Sequence, residues 1–181
     1  MRRSSLGGRR LTGPTLLLID VQQGFVSERT EHAVPRIREL LDHPFGTVIA
    51  TKFVNVPGSP YRELMGWTGM GSPPGTDLLD FVEERADFVI EKHLYTAVGD
   101  RLLALLEERG AGMVYIAGFD TDCCILKNAE DLFERGIPCR VLMHYTASNG
   151  GPASYEAART VLMRSIGSAC IIDGPIDGSS L

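Results

Sequence analysis

The chain has 181 residues, 44% of them hydrophobic and 23% charged, which is the balance of a globular protein with enough core for a single domain. Its formal net charge of −5 excludes an overall positive field that would draw it to nucleic acid, and no apolar run approaches the roughly 20 residues that cross a bilayer. Four cysteines without a recognisable secretory signal predict reduced thiols and a cytoplasmic location.

The start of the chain differs in composition from the rest. Residues 1–13 begin MRRSSLGGRR, and this Ser-, Gly- and Arg-rich segment predicts a disordered leader. Residues 14–181 predict one domain. Within it, short apolar runs at residues 15–20, 47–53, 87–92, 113–118, 139–144 and 169–173 predict six strands. These runs are nearly continuous instead of alternating, as is typical of strands buried on both faces of a sheet.

Amphipathic segments lie between the predicted strands. Helices are predicted at residues 34–42, 100–110, 125–136 and 152–167. Pro35 stands near the first helix start, and Gly110 and Gly136 stand at the ends of the next two, as their backbone preferences favour. The alternation of strand and helix predicts an α/β fold in three layers (α/β/α), with helices on both faces of a parallel sheet.

One segment interrupts this alternation. Residues 55–75 read NVPGSPYRELMGWTGMGSPPG, an irregular stretch that is rich in Gly and Pro but also carries bulky apolar side chains. A long irregular insertion of this kind in a compact domain indicates a functional segment. It lines either a substrate pocket or a subunit interface, and the sequence does not choose between them.

Reactive side chains follow several predicted strands. Asp20 ends the first strand, Lys52 lies near the end of the second and Lys92 ends the third, while the fourth runs into the pair Cys123 and Cys124. Ligands of open parallel sheets bind beyond the carboxyl ends of the strands. Each residue alone has an ordinary structural explanation, as a turn former, a surface charge or a small buried side chain. Together they predict nucleophilic chemistry at one sheet edge.

The adjacent cysteines lie in GFDTDCCILKN, residues 118–128. The helix after the fourth strand is predicted to begin near Thr121 or Asp122, which puts both thiols in its first turn. There the helix dipole and free N–H groups favour a thiolate. Cys123 and Cys124 are about equally far from the apolar stripe of this helix, so its periodicity leaves both as candidates.

Three segments in order resemble a known family. LLLIDVQQGF resembles the D-x-Q-x-x-F opening, EKHLYTAV the lysine segment and GFDTDCCILKNAEDLFERG the G-x-x-T-D-x-C nucleophile segment of isochorismatase-like cysteine hydrolases, which include nicotinamidases and N-carbamoylsarcosine amidases. The resemblance implies the Rossmann-like isochorismatase fold, with a six-stranded, mostly parallel sheet in the order 3-2-1-4-5-6. It also implies a homodimer or homotetramer.

The resemblance assigns roles to individual residues. It makes Asp20 the acidic residue, Lys92 the lysine that depresses the thiol pKa, and Cys124 the nucleophile, with Cys123 at the variable position. It implies a cis peptide bond before Asp120, and an oxyanion hole made by the backbone N–H groups of Asp120 and Cys124. The implied reaction cleaves the C–N bond of a small amide, ureide or carbamoyl compound through a thioester.

The chain departs from the family where nicotinamidases bind a metal. Those enzymes carry an Asp-x-His pair after the second strand, where this chain reads TKFVNVPGS. The four histidines show no ligand spacing: they are His32, His43, His93 and His144. We therefore expect no metal and no cofactor, and nicotinamide is not the expected substrate. His144 stands after the predicted fifth strand, where relatives often carry an acid.

Aromatic residues predict the wall of a substrate pocket. Phe25, Tyr61, Trp67 and Tyr95 are the candidates, with Gln22 as a polar contact. The alternative is that these side chains only pack the insertion onto the sheet or into a subunit interface.

Three other functions are alternatives to a hydrolase. A nucleotide-binding protein is disfavoured, since no strand is followed by G-x-G-x-x-G or a Walker A loop. A thiol redox or sensor protein would use Cys123 and Cys124 without the usual C-x-x-C spacing, and would leave Asp20 and Lys92 without a role. A catalytically silent scaffold remains open on the sequence.

Overall fold

A parallel sheet of six strands forms the centre of the molecule. The computed structural model describes residues 13–177, so the predicted leader lies outside the described residues except for Gly13. The strands are β1 (Thr15–Ile19), β2 (Thr47–Phe53), β3 (Phe88–Lys92), β4 (Val114–Phe119), β5 (Cys139–Ala147) and β6 (Ile171–Ile172). They pair in the order β3-β2-β1-β4-β5-β6, which confirms the predicted order, and every pair is parallel.

Helices cover both faces of the sheet. The α-helices in the described part of the chain are α1 (Val34–Leu40), α2 (Pro60–Glu63), α3 (Asp80–Arg85), α4 (Asp100–Arg109), α5 (Leu126–Glu134) and α6 (Pro152–Ser165). A π-helical turn, Thr121–Ile125, precedes α5. The sequence did not predict α2 and α3, because four and six residues are too short to display helical periodicity. No helix in residues 13–177 is long and apolar enough to cross a membrane.

The strand side chains alternate between two separate cores. Leu16 and Leu18 of β1 point to the face covered by α1 and α3, together with Tyr115 of β4. Leu17 and Ile19 point to the opposite face, which α4, α5 and α6 cover. Because β1 is buried on both faces, all of its residues after Thr15 are apolar, which explains the continuous run in the sequence.

The carboxyl ends of β1 and β4 approach each other unusually closely. Ile19 pairs with Gly118, which has a φ of +117°. Glycine adopts this backbone conformation readily, whereas residues with a side chain rarely do. A Cβ at Gly118 would lie 2.1 Å from the carbonyl oxygen of Ile19, so no other residue fits here without moving the backbone. This contact brings Asp20, which follows β1, next to the π-helical turn that carries the two cysteines.

The insertion is attached to the sheet edge by Gln22. Its fully buried amide nitrogen donates to the carbonyls of Phe53 and Thr76, at 2.9 and 2.8 Å, and its amide oxygen accepts from the Phe53 N–H at 2.8 Å. Within the insertion, the Asn55 amide donates to the carbonyls of Trp67 and Gly69. The segment is therefore an ordered part of the fold despite its irregular path.

We expect Gln22→Ala to lower the free energy of unfolding by about 2–4 kcal/mol, because it leaves three buried backbone groups without partners. Chemical denaturation measures the change. Gln23→Ala, at an exposed neighbouring position, is the control and should shift the free energy of unfolding by less than about 0.5 kcal/mol. Equal effects of the two substitutions would contradict the anchoring role.

Candidate active site

The side chains of Asp20, Lys92 and Cys124 meet at the carboxyl edge of the sheet. The Nζ of Lys92 lies 2.7 Å from Oδ2 of Asp20 and 3.4 Å from Sγ of Cys124. All three residues are nearly excluded from solvent, with exposed fractions of 0%, 5% and 5%. A carboxylate, an ammonium and a thiol in contact, and shielded from water, form a set able to carry out nucleophilic chemistry.

Asp20 is held in position by Thr51 on the neighbouring strand. The Thr51 hydroxyl donates to Oδ1 of Asp20 at 2.6 Å and accepts from the Asp20 N–H at 3.1 Å. Asp20 has φ of +51°, a left-handed conformation that an aspartate tolerates better than most residues. With Oδ1 bound to Thr51 and Oδ2 bound to Lys92, the carboxylate has a single defined orientation.

Lys92 is a buried cation with several partners. Besides Asp20 and Cys124, its Nζ donates to the carbonyl of Leu94 at 3.0 Å and lies 5.0 Å from the ring centre of Phe53. Burial lowers the pKa of Lys92, but the charges of Asp20 and of Cys124 raise it more, so that its pKa lies above the ordinary value. Lys92 is therefore charged throughout the neutral range.

The surroundings of the Cys124 thiol act on its pKa in opposite directions. Burial raises its pKa well above the ordinary value and the Asp20 carboxylate raises it further, whereas Lys92 lowers it by less. Lys92 lowers the thiol pKa, in the direction that was predicted, but burial raises it by more, so the net pKa lies above the ordinary value. The Cys124 thiol lies beside the Lys92–Asp20 ion pair.

Cys123 has different surroundings. It is half-buried, it contacts Tyr95, and burial raises its pKa to about 11, with Asp122 and Asp120 adding to the effect. Among the described residues, Lys92 donates a hydrogen bond to the thiol of Cys124 and none to that of Cys123. The sequence could not choose between the adjacent thiols, and the geometry favours Cys124.

A cavity of about 430 Å³ lies beside Cys124. Phe25, Trp67 and Tyr95 line it, as predicted, together with Phe53 and Met65. Cys124 also lines the cavity, so the candidate nucleophile is accessible to a small molecule. Of the two roles that the sequence left open for the insertion, Met65 and Trp67 support that of pocket wall.

Two predicted pocket residues lie elsewhere. The amide of Gln22 is fully engaged with backbone groups, so the structure places it in the anchor of the insertion and not on the cavity surface. Tyr61 is 5% exposed and stands behind the wall, with its ring edge-on to Phe53, Trp67 and Tyr95 at centroid distances of 5.2, 6.1 and 5.1 Å. Its contribution is to hold the aromatic wall in place.

Asp120 joins the site through both its backbone and its side chain. The peptide bond Phe119–Asp120 is cis, as the resemblance implied, and the Asp120 N–H donates no hydrogen bond to any described residue. Its Oδ1 accepts from the backbone N–H and the side-chain amide of Asn149, both at 2.9 Å. Burial raises the pKa of Asp120 to about 6, although the bonds from Asn149 lower it.

Because the pKa of Asp120 is raised, ionising its carboxyl group should lower the stability of the folded state. An unfolded aspartate ionises near pH 3.8, so the folded state loses stability as pH rises from about 4 to 6 and carries the full cost above that. We expect Asp120→Asn to raise the free energy of unfolding at pH 8 by about 1–3 kcal/mol, with the gain disappearing toward pH 4. Denaturation across this range tests it, with the exposed Asp42→Asn as control; a gain that does not depend on pH would contradict the cause given.

Asn149 and Thr51 are functional candidates that the sequence reasoning missed. The fifth strand was predicted to end at His144, but β5 continues to Ala147, and Asn149 follows soon after it. The apolar and β-branched run after His144 was the signal for a longer strand. Thr51 gave no such signal, because a threonine inside a strand is ordinary.

His144 does not reach the cavity. Its ring lies edge-on to Tyr145 with centroids 5.0 Å apart, and burial together with Arg36 lowers its pKa. Lys52, the other strand-end candidate, is partly exposed and lies 4.0 Å from Asp77. Neither residue belongs to the cluster around Cys124.

The segment after β2 does not fit the metal site that the resemblance implied for some relatives. Val54, Asn55 and Val56 occupy it, and the Asn55 amide is already bonded to two backbone carbonyls. Across residues 13–177, no group of three or more His, Cys, Asp or Glu side chains is arranged to hold a metal ion. No catalytic step is therefore derived through a metal.

Comparison with known proteins gives a consistent result. A family model described as the isochorismatase domain matches residues 14–170. The nicotinamidase of Schizosaccharomyces pombe is 29% identical over 165 residues, covering 64% of this chain and 74% of that protein. The nicotinamidase/pyrazinamidase of Mycobacterium tuberculosis is 25% identical over 181 residues, covering 86% of this chain and 97% of that protein.

Solved structures share the fold at lower identity. An isochorismatase-like hydrolase from Alkaliphilus metalliredigens superposes with a TM-score of 0.77 at 16% identity, covering 89% of this chain and 94% of that one. The N-carbamoylsarcosine amidase from Thermoplasma acidophilum superposes with a TM-score of 0.74 at 21% identity, covering 89% and 95%. These likenesses concern the arrangement of the backbone.

Proposed function

Because this chain belongs to the isochorismatase family, we propose that it is a cysteine-dependent hydrolase that cleaves a C–N bond of a small amide, ureide or carbamoyl compound. The observation that carries the proposal is the contact of Lys92 Nζ with both Asp20 and Cys124, at 2.7 and 3.4 Å, at the edge of a cavity lined by Cys124. Asp20, Lys92 and Cys124 are the proposed catalytic residues.

The first half of the proposed reaction forms a thioester. The Asp20 carboxylate takes the proton from the Cys124 thiol, and the thiolate attacks the substrate carbonyl carbon while Lys92 keeps the buried charges balanced. The carbonyl oxygen becomes an oxyanion, which the backbone N–H groups of Asp120 and Cys124 bind. The uncommitted N–H of Asp120 supports this role. Asp20 then returns the proton to the nitrogen, and the C–N bond breaks to release ammonia or an amine.

The second half releases the acyl group. Asp20, again a carboxylate, takes a proton from a water molecule, and the resulting hydroxide attacks the thioester carbonyl. The C–S bond breaks, the sulfur leaves as thiolate and regains the proton from Asp20, and a carboxylic or carbamic acid is released. The raised pKa of the Cys124 thiol supports this sequence, since each cycle begins and ends with the proton on sulfur.

A screen of small primary amides, ureides and carbamoyl compounds for ammonia release tests the proposed function. The two curated relatives are named as nicotinamidases, so nicotinamide belongs in the screen even though the metal-binding residues are not present here. Treatment with an electrophile followed by peptide mapping should label Cys124. A complete lack of turnover and of labelling would favour the silent scaffold, and reversible Cys123–Cys124 oxidation without turnover would favour the sensor.

We expect Cys123→Ala to retain kcat within about threefold of the unmodified chain, since the Cys123 thiol has no contact with Lys92. Steady-state ammonia release measures it. Loss of turnover here, with activity retained in Cys124→Ala, would show that the nucleophile is assigned one position too far along the chain.

We also propose that the chain assembles into a homodimer or homotetramer in the cytoplasm. Leu64 and Leu94 are exposed by 85% and 53%, and apolar exposure of this size supports a subunit contact. The free cysteines support a reducing compartment. Light scattering after gel filtration would show a monomer if the assembly proposal is wrong.

A further inference from the structure

The cavity beside Cys124 contains a charged group that the proposed reaction does not use. Among the described residues that line it, Asp120 carries the only charged side chain, and the others are aromatic, sulfur-containing, amide or glycine residues. The proposed oxyanion hole uses only the backbone N–H of Asp120. Its carboxyl group is therefore available for another role.

One oxygen of this carboxyl group has no partner. Asn149 donates twice to Oδ1, whereas no hydrogen bond of the described residues reaches Oδ2. Arg29 donates to the Asn149 carbonyl and not to Asp120. The neighbouring charges that act on Asp120, from Asp122 and Asp20, are both negative and oppose its ionisation. A largely buried carboxylate in this setting lacks a compensating positive charge.

Aromatic rings form much of the wall of the same cavity. Phe53 and Trp67 are stacked with centroids 6.0 Å apart and an interplanar angle of 14°, and Phe25 lies 6.2 Å from Phe53. Tyr95 lines the same cavity. Aromatic faces attract cations, and cages of several rings bind quaternary ammonium groups. Lys92 does not supply this cation, because its charge is paired with Asp20 at 2.7 Å.

We propose that the substrate carries a cationic nitrogen, which Asp120 and the aromatic wall bind while the scissile carbonyl lies against Cys124. The inference rests on the proposed hydrolase function and names its substrate class: an amide or ureide whose acyl part bears an ammonium or quaternary ammonium group. A neutral or anionic acyl group would leave the Asp120 carboxylate largely buried without a counter-charge, which costs binding energy.

A pair of amides with matched shape tests the proposal. In 2-(trimethylammonio)acetamide a positive nitrogen replaces the quaternary carbon of 3,3-dimethylbutanamide, so the two differ in charge and hardly in size. The homologues with two and three methylene groups are included, because they vary the distance between cation and carbonyl. For the best length, we expect kcat/KM for the cationic amide to exceed that for its neutral isostere by about 10-fold or more.

Substitutions at Asp120 identify the source of this preference. Asp120→Asn retains an oxygen for Asn149 and removes the charge, and we expect the cationic-to-neutral ratio of kcat/KM to fall to within about threefold of unity. Asp120→Glu restores the charge and should recover part of the ratio. A neutral isostere that is turned over as well as the cation, or a preference that survives in Asp120→Asn, would overturn the proposal.

A binding measurement separates this proposal from the hydrolase proposal. Trp67 is the single tryptophan of the chain and lines the cavity, so its fluorescence reports occupancy in the Cys124→Ala variant without turnover. We expect 2-(trimethylammonio)acetamide to bind about 10-fold more tightly than 3,3-dimethylbutanamide. Preferential binding of the cation without any amide hydrolysis by the unmodified chain would refute the hydrolase and retain the cation site. Amide hydrolysis without preferential binding of the cation would refute the cation site and retain the hydrolase.

Discussion

Replacing Cys124 by alanine is expected to lower kcat for any amide substrate by roughly 10⁴- to 10⁶-fold and to abolish the covalent adduct. Among the described residues, Cys124 has the only thiol in contact with Lys92, so its loss removes the thioester route altogether. Ammonia release measures the rate. Intact-protein mass spectrometry of a quenched reaction measures the acyl-enzyme.

The fold should survive this substitution. Cys124 packs with the apolar side chains that α5 presents to the sheet, and alanine removes a single sulfur atom from that cluster. A loss of about 1 kcal/mol in the free energy of unfolding is expected. Cys123→Ala, one position away, is the matched control for labelling and turnover. Activity that persists in Cys124→Ala would remove the proposed mechanism.

Replacing Lys92 by methionine should damage both catalysis and stability. Methionine keeps much of the volume but removes the charge, so the fully buried Asp20 carboxylate loses its ion-pair partner. We expect kcat to fall by at least about 100-fold and the free energy of unfolding to fall by about 3–5 kcal/mol at neutral pH. The stability loss should shrink as pH is lowered, because a carboxylate without its counter-charge takes up a proton more readily.

The double substitution Asp20→Asn with Lys92→Met distinguishes the two effects. Neither buried charge remains, so most of the lost stability should return, whereas turnover should not, because the proton acceptor is absent. Denaturation curves of the unmodified chain, Asp20→Asn, Lys92→Met and the double variant give the coupling energy between the two residues. If the double variant is no more stable than Lys92→Met, then the ion pair is not the cause of the loss.

The sheet was predictable because its strands follow a simple physical rule. A strand buried on both faces must be apolar at almost every position, and β1 and β4 are, so their runs stand out from the sequence. β6 was harder. Its two paired residues, Ile171 and Ile172, are only half-buried, and the predicted five-residue run overstates its length.

The catalytic candidates were found by a topological argument. Parallel strands bring their carboxyl ends to one edge, so Asp20, Lys92 and the cysteine pair were expected together before any contact was known. The choice of Cys124 over Cys123 came from the resemblance and not from periodicity. In the structure the chain passes through a π-helical turn at this point, whose wider spacing no α-helical pattern represents.

The polar supports of the site were less predictable. Asn149 reaches Asp120, Phe25 and Ser27 from a loop more than 20 residues away from each of them in sequence. Gln22 was expected at the substrate, but its amide binds backbone groups of Phe53 in β2 and of Thr76, just after the insertion. A side-chain amide serves a ligand and a backbone equally well, so its residue type does not tell which one it binds.

By itself, the amino-acid sequence determined the alternation of buried strands and amphipathic helices and the reactive side chains at the strand ends, because burial and strand direction act locally along the chain. Only the tertiary structure decided which thiol meets Lys92, that burial outweighs that lysine in setting the thiol pKa, and that Asp120 lines the same cavity as several aromatic rings. Those properties depend on distances and on exclusion of water between segments far apart in sequence, and no local pattern encodes them.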